Sequence, residues 1–152
     1  MSREELTKLV RDVELILMDV DGVLTDGKVS FVPNGDELLE VKSFSVLDGA
    51  GIALAHRAGL RTGWVSARGS LVVAKRAAEL SVEFIYLDVR DKRAALDEIL
   101  SNSGVTSDRV CFIGDEIVDL PVMGRVLFPA AVANAVSEVR ARAAYVTQAS
   151  GG

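Results

Sequence analysis

The apolar run Leu15-Ile16-Leu17-Met18 stops abruptly at Asp19-Val20-Asp21-Gly22-Val23, and this junction constrains the chain more than any other part of it. Buried strands of α/β proteins end at the ligand crevice, and a glycine lets the chain turn sharply there. Two carboxylates one residue apart at such an end suit a metal or a phosphoryl group. The two-residue period of a strand would put Asp19 and Asp21 on one side, but the strand is ending, so a loop can separate their roles into nucleophile and acid/base. Asp-x-Asp-Gly also opens calcium loops and ordinary turns. A calcium hand needs further oxygen ligands and a Glu closing its loop, and Val23-Leu24-Thr25-Asp26-Gly27-Lys28 supplies no such ladder.

A chain of 152 residues, 49% hydrophobic and 26% charged, matches one globular domain spanning 1–152. Its net charge of −5 offers no general field for nucleic acid or an anionic membrane. An anionic substrate therefore requires a locally positive pocket or a metal. The apolar runs are too short for a membrane span, and Met1-Ser2-Arg3-Glu4-Glu5 lacks the basic-then-apolar order of a signal peptide, so the expectation is a cytoplasmic protein. The lone Cys111, within Val110-Cys111-Phe112-Ile113, reads as core, and no intrachain disulfide can form. His56 falls on an expected helix away from the acidic motifs and reads as a structural or surface residue.

Apolar strand-like segments alternate with helical ones, the pattern of an α/β protein. Strands are expected at 14–18, 60–65, 84–87, 110–113, 126–128 and 145–147, and helices at 49–58, 69–80, 91–103 and 117–123. Short right-handed crossovers then give a doubly wound, mainly parallel sheet. Residues 28–44 break the rhythm and read as a β-hairpin insertion, with Asn34-Gly35 as the turn signal. Its apolar residues Val29, Phe31, Leu39 and Val41 must pack on their own domain or on another subunit.

Polar residues suited to phosphoryl transfer follow separate strands: Asp19 and Asp21, Ser66, Lys92, and Asp115 with Asp119. Each has a bland reading. Ser66 can cap the next helix, Lys92 can be a solvated first-turn lysine, and Asp115 to Asp119 can be a turn favoured by a helix dipole. Their joint placement at one sheet edge is harder to explain that way.

In that order, Asp19-Val20-Asp21-Gly22-Val23-Leu24-Thr25, Ser66, Lys92 and Gly114-Asp115-x-x-x-Asp119 resemble the four motifs of the haloacid dehalogenase superfamily. The hairpin, Leu47-Asp48-Gly49-Ala50-Gly51-Ile52, Leu120-Pro121-Val122-Met123 and Ala144-Tyr145-Val146-Thr147 narrow the resemblance to the 3-deoxy-D-manno-octulosonate 8-phosphate phosphatase subfamily, over nearly the whole chain. Such proteins have a Rossmann-like sheet and no cap domain, serve lipopolysaccharide sugar synthesis, and form homotetramers in which hairpins assemble. The resemblance implies Mg²⁺ held by Asp19, Asp115 and the backbone carbonyl of Asp21, with Asp119 orienting the set. It implies Asp19 as nucleophile, Asp21 as acid/base, and Ser66 and Lys92 on the phosphoryl oxygens. Arg68 and Lys75, which follow the second motif, are candidates for the substrate carboxylate.

The chain departs from the pattern in places. Thr-Gly-Arg of the second motif is Ser66-Ala67-Arg68 here, and Leu47 stands where members commonly carry Arg. Members continue past the corresponding glycines with a tail that reaches a neighbouring subunit's site. The sequence in hand runs to Gly151-Gly152, so that closing element is either cut away or lacking, and binding or product release would differ accordingly. Competing readings are a phosphatase for nine-carbon acids such as 2-keto-3-deoxynonulosonate 9-phosphate, a receiver-type signalling domain, and a catalytically weak binding subunit. A receiver carries its phosphoacceptor after the third strand, whereas Asp19 follows the first.

Overall fold

The computed structural model describes residues 3–152. Strand β1 (Leu15–Met18) lies inside a six-stranded sheet with β4 (Arg61–Val65), β5 (Phe84–Tyr86), β6 (Val110–Gly114), β7 (Phe128–Ala131) and β8 (Tyr145–Val146), all paired in parallel. The continuous apolar run of β1 follows from coverage on both faces. Leu15 and Leu17 point into the core formed with Phe112, Leu96 and Ile99, while Ile16 and Ile113 pack toward Cys111 and Phe128 on the opposite face.

The spatial order β5-β4-β1-β6-β7-β8 means that the chain winds outward from β1 in one direction, then crosses back and winds outward in the other. That reversal opens a crevice at the carboxyl ends of β1 and β6, the position where doubly wound sheets bind ligands.

Helices fill the crossovers. α2 (Val46–Arg57) is capped by Ser45, α3 (Leu71–Glu79) by Ser70, and α4 (Lys92–Ser103) by Asp91, each side chain accepting from a first-turn amide. Gly104, at φ 70°, ends α4 in the left-handed conformation that glycine adopts without strain. The expected helix at 117–123 divides into a 3-10 turn, Ile117–Asp119, and the short α5 (Leu120–Met123), with Pro121 in its first turn.

Several elements differ from expectation. The strand expected at 126–128 begins only at Phe128, because Val126-Leu127 has the stronger β character while the real strand ends in Pro129, Ala130 and Ala131. Ala130 and Ala131 are nevertheless buried, since small residues fit where β7 meets its neighbours. Helices α1 (Arg3–Val10) and α6 (Ser137–Arg142) were not anticipated from periodicity; both are short. α1 places Leu6 and Leu9 against Val13, Cys111 and Phe128, and α6 buries Val139.

Between β1 and α2 the chain forms a separate antiparallel hairpin of β2 (Ser30–Asn34) and β3 (Glu37–Val41), the only insertion there among the described residues, and no cap domain is present. Asn34 pairs with Glu37, so the turn is Gly35-Asp36, one residue later than expected. Gly35 at φ 63° occupies the first turn position, where a two-residue hairpin loop needs a positive φ. Phe31 and Leu38 remain 53% and 67% exposed. No helix among the described residues is long and apolar enough to cross a membrane.

Candidate active site

Asp19 is the first residue past β1, and its backbone N–H still bonds to Ile113 O at 2.9 Å, which ties it to β6. Its Oδ1 accepts from Val20 N–H at 2.7 Å and lies 2.9 Å from Lys92 Nζ. Lys92 begins the crossover helix α4, so the right-handed return of the chain delivers its side chain to the crevice. It is 4% exposed, which excludes a solvated first-turn role. Its Nζ also donates to Asp119 Oδ1 at 2.7 Å.

Asp119 is fully buried, and its Oδ2 accepts from the backbone N–H groups of Asp115 and Glu116 at 3.0 and 3.1 Å. Both of its oxygens are thus engaged, and what they hold in place is the loop after β6. Asp115, carried by that loop, has a buried Oδ1 without a hydrogen-bond partner. Carboxylate oxygens of Asp19, Asp115 and Asp119 all lie within 4.8 Å of one another.

So many acidic groups around one ammonium perturb each other. Burial pushes the Asp19 carboxyl up to about 6, against the Lys92 charge that lowers it and with the Asp119 charge that raises it. Burial, then the Asp19 and Asp119 charges, push Asp115 up to about 7. For Lys92, burial lowers the ammonium's pKa, but the carboxylates of Asp19 and Asp119 outweigh that and raise it. A carboxyl with a buried, unpartnered oxygen, its pKa raised by burial and by two neighbouring carboxylates, marks a site short of positive charge.

The turn after Asp19 separates it from Asp21. Val20 O accepts from the N–H groups of Leu24 and Thr25 at 2.9 and 3.1 Å, and the buried Thr25 hydroxyl accepts from Gly22 and Gly27 N–H. Gly22, at φ 91°, has no room for a side chain: a Cβ there would sit 2.0 Å from Asp115 Oδ2. The Gly22 carbonyl accepts from Asn134 Nδ2 at 3.4 Å, while Asn134 Oδ1 accepts from Gly151 N–H at 2.8 Å. Gly152 N–H completes this by donating to Val23 O at 3.2 Å. The last described residues therefore brace the loop that carries Asp21.

Asp21 does not join the carboxylate cluster. Its Oδ1 accepts from Lys42 Nζ, and its Oδ2, buried and without a hydrogen bond, has Arg68 Nη1 at 3.9 Å. Arg68 Nη2 donates to Glu40 Oε1 at 2.9 Å, and Glu40 also accepts from the Ser70 hydroxyl. Ser66, directly after β4, is buried; its Oγ accepts from Arg68 N–H at 3.2 Å, which leaves its own hydrogen to donate. The helix-capping role belongs to Ser70 instead. Lys75 is exposed on α3 and forms no ion pair or side-chain hydrogen bond with a residue of this cluster. His56, as expected, lies elsewhere, with Nε2 2.7 Å from the Thr62 hydroxyl.

Glu40, Lys42 and Asn134 were not singled out from sequence. A signal existed for the first two: charged residues at spacing two in an otherwise apolar hairpin strand share a face. Asn134 had none, because its partners are Gly22 and Gly151. A separate apolar hollow of about 320 Å³ lies on the α2 side, lined by Ile16, Met18, Ile52, Val132 and Ala149 among others, and neither Asp19, Asp21 nor Asp115 faces it.

An aspartate pair after the first strand, a lysine from the crossover helix and a second acidic pair after the fourth sheet strand, around a switch-point crevice, define a class of hydrolase. The chain belongs to the haloacid dehalogenase-like hydrolases, whose family model matches residues 69–150. Within that family it is similar to the 3-deoxy-D-manno-octulosonate 8-phosphate phosphatase of Salmonella typhi, at 34% identity over all of this chain and 79% of that protein. The corresponding enzyme of Moraxella catarrhalis, crystallised with a magnesium ion, a phosphate ion and a KDO molecule, superimposes with a TM-score of 0.93 at 30% identity, covering 99% of this chain and 85% of that one. The cobalt-bound enzyme of Haemophilus influenzae gives 0.88 at 33% identity, covering 95% and 82%.

Proposed function

We propose that this protein is a Mg²⁺-dependent phosphomonoesterase whose substrate is 3-deoxy-D-manno-octulosonate 8-phosphate, releasing the free sugar acid and phosphate in lipopolysaccharide precursor synthesis. The observation that carries the reading is the buried Asp19 carboxylate, paired with Lys92 at 2.9 Å and set among Asp115 and Asp119, on a chain similar end to end to phosphatases of that sugar.

The residues present fit a hard divalent cation. They offer oxygen donors only, the Asp115 Oδ1 has no other partner, and a side chain at position 22 would fill the space beside Asp115. Asp19, Asp115 and the Asp21 backbone carbonyl would hold it, while Asp119, with both oxygens engaged, keeps the Asp115 loop and Lys92 in place. When bound, the cation neutralises the charge of nucleophile and phosphoryl group as they approach.

Asp19 attacks phosphorus, the bond from phosphorus to the ester oxygen breaks, and Asp21 protonates the departing sugar oxygen. Asp21, now ionised, takes a proton from water as that water attacks the aspartyl phosphate; the bond from phosphorus to Asp19 breaks and phosphate leaves. Lys92 and the Ser66 hydroxyl donate toward the phosphoryl oxygens, stabilising charge in both steps. Arg68 is placed to meet the substrate carboxylate by exchanging it for Glu40.

The exposed apolar residues of the hairpin support assembly through it, into a homotetramer in our reading, and the same reading makes the protein a cytoplasmic enzyme for a small anionic substrate. The test is phosphate release from a panel of sugar phosphates that includes the eight- and nine-carbon keto acids, with Mg²⁺ and with chelator. Mg²⁺-dependent preference for the eight-carbon substrate, lost in Asp19→Asn, supports the reading. Turnover by Asp19→Asn near the wild-type rate would sink it.

A further inference from the structure

The hairpin does more than protrude. Glu40, near the end of β3, and Lys42, the residue just past it, both reach inward: the Lys42 side chain is only 1% exposed although it follows an element whose apolar residues are largely in solvent. A lysine buried to that degree needs a partner for its charge. Lys42 Nζ finds Asp21 Oδ1 directly and Glu40 Oε1 at 3.7 Å. Glu40 in turn binds Arg68 and Ser70, so the hairpin base is joined to the loop between β4 and α3 as well as to the loop after β1.

We propose that Lys42 is the positioning residue for Asp21, and that it decides which of the two Asp21 oxygens serves the leaving group. The inference rests on Asp21 being the acid/base of the phosphatase reading. An ammonium has three donors and no acceptor, so the oxygen it holds can only accept. Oδ1 is that oxygen. The proton given to the sugar oxygen is therefore carried on Oδ2, the buried atom that has no hydrogen bond. In the first step the Oδ2–H bond breaks as the proton passes to the departing alkoxide; in the second, Oδ2 takes a proton from the attacking water. While Oδ2 carries the proton, Lys42 opposes rotation of the carboxyl group, because turning it would set an O–H donor against an ammonium that has no acceptor. Arg68, at 3.9 Å from Oδ2, is too far for a hydrogen bond and does not compete for it.

A lysine that merely anchors the hairpin and a lysine that positions the acid differ in one measurable respect: the second matters in proportion to how badly the leaving group needs a proton. The experiment compares wild type, Lys42→Met and Asp21→Asn, all with Mg²⁺, on the eight-carbon sugar-acid phosphate and on p-nitrophenyl phosphate. The aryl group departs without protonation, so kcat/KM on it does not report on the acid. Lys42→Met is expected to lose about 100-fold in kcat/KM on the sugar phosphate, the scale of a displaced acid, and less than about fivefold on the aryl ester. It should also show a burst of one nitrophenolate per site, since attack by water still needs Asp21 as base. Asp21→Asn should give the same pattern more strongly.

Equal losses on both substrates, or none on the sugar phosphate, overturn the inference. If Lys42→Met fails to fold, Lys42→Gln, which keeps a polar donor but no charge, is read by the same difference between substrates. A wild-type protein that hydrolyses neither ester with Mg²⁺ would remove the phosphatase reading itself, and this inference with it.

Discussion

Gly22→Ala tests the architecture of the site through a single methyl group. The new Cβ would stand 2.0 Å from Asp115 Oδ2 and 2.7 Å from its Cγ, and Gly22 sits at φ 91°, where side chains are disfavoured. Relieving the contact requires Asp115 to retreat by roughly 1 Å, and a displacement of that size costs on the order of 100-fold in rate. The backbone strain adds about 1–2 kcal/mol of destabilisation. At about 2–4 °C per kcal/mol for a domain of this size, the melting temperature should fall by roughly 2–8 °C. Phosphate release measured across a Mg²⁺ titration should show both a higher half-saturating concentration and a kcat/KM reduced about 100-fold. Gly27→Ala separates the two effects. It shares the positive φ, at 78°, but its Cβ would meet Gly22 Cα at 3.4 Å and Gly22 N at 3.7 Å, ordinary contacts. It should lower the melting temperature while sparing Mg²⁺ affinity. If Gly22→Ala kept wild-type Mg²⁺ dependence, or Gly27→Ala lost it equally, the claim that Gly22 makes room for a working Asp115 would be wrong.

The acidic cluster predicts a pH dependence of the metal-free protein. Asp19 and Asp115 titrate near 6 and 7 when folded against 3.8 as free groups, so between about pH 4 and 7 the folded state binds more protons than the unfolded state and stability falls as pH rises. The melting temperature in chelator should therefore drop from pH 5 to pH 7.5, and Asp115→Asn should flatten the drop; an unchanged slope in that variant contradicts the assignment. Lys92→Met leaves Asp19 and Asp119 facing each other without a cation, and removing one member of such a buried set costs about 3–5 kcal/mol. Urea unfolding of that variant checks the figure, and a loss below about 1 kcal/mol, as for an exposed pair, would refute it.

Much of the fold was legible because burial leaves a periodic trace. β1, β4, β5 and β6 fell where apolar runs predicted them, and α3 and α4 lie within two residues of expectation, with Gly104 marking the end of α4; α2 begins three residues earlier than expected, at Val46, because its Ser45 cap was not read from the sequence. β7 was displaced because its strand character depends on small residues accepted by neighbours, which local propensity does not record. α1 and α6 escaped because six to eight residues give too few turns to show a face.

For the site, the sequence by itself determined the chemistry on offer: carboxylates after β1 and β6, a hydroxyl after β4, and a lysine at the start of α4, each adjacent to an element that periodicity reveals. That is local information, since a residue next to a strand end goes where the strand goes. Only the tertiary structure decided how those groups divide. It gave Lys92 to Asp19 and Asp119, left one oxygen of Asp115 unpaired, and set Asp21 apart with Lys42. Lys42 and Asp21 are brought together by the docking of the hairpin, as Asn134 and Gly22 are by the return of the chain past β7. Such contacts depend on how whole elements pack, and side chains so far apart in the chain carry no local pattern that announces their pairing.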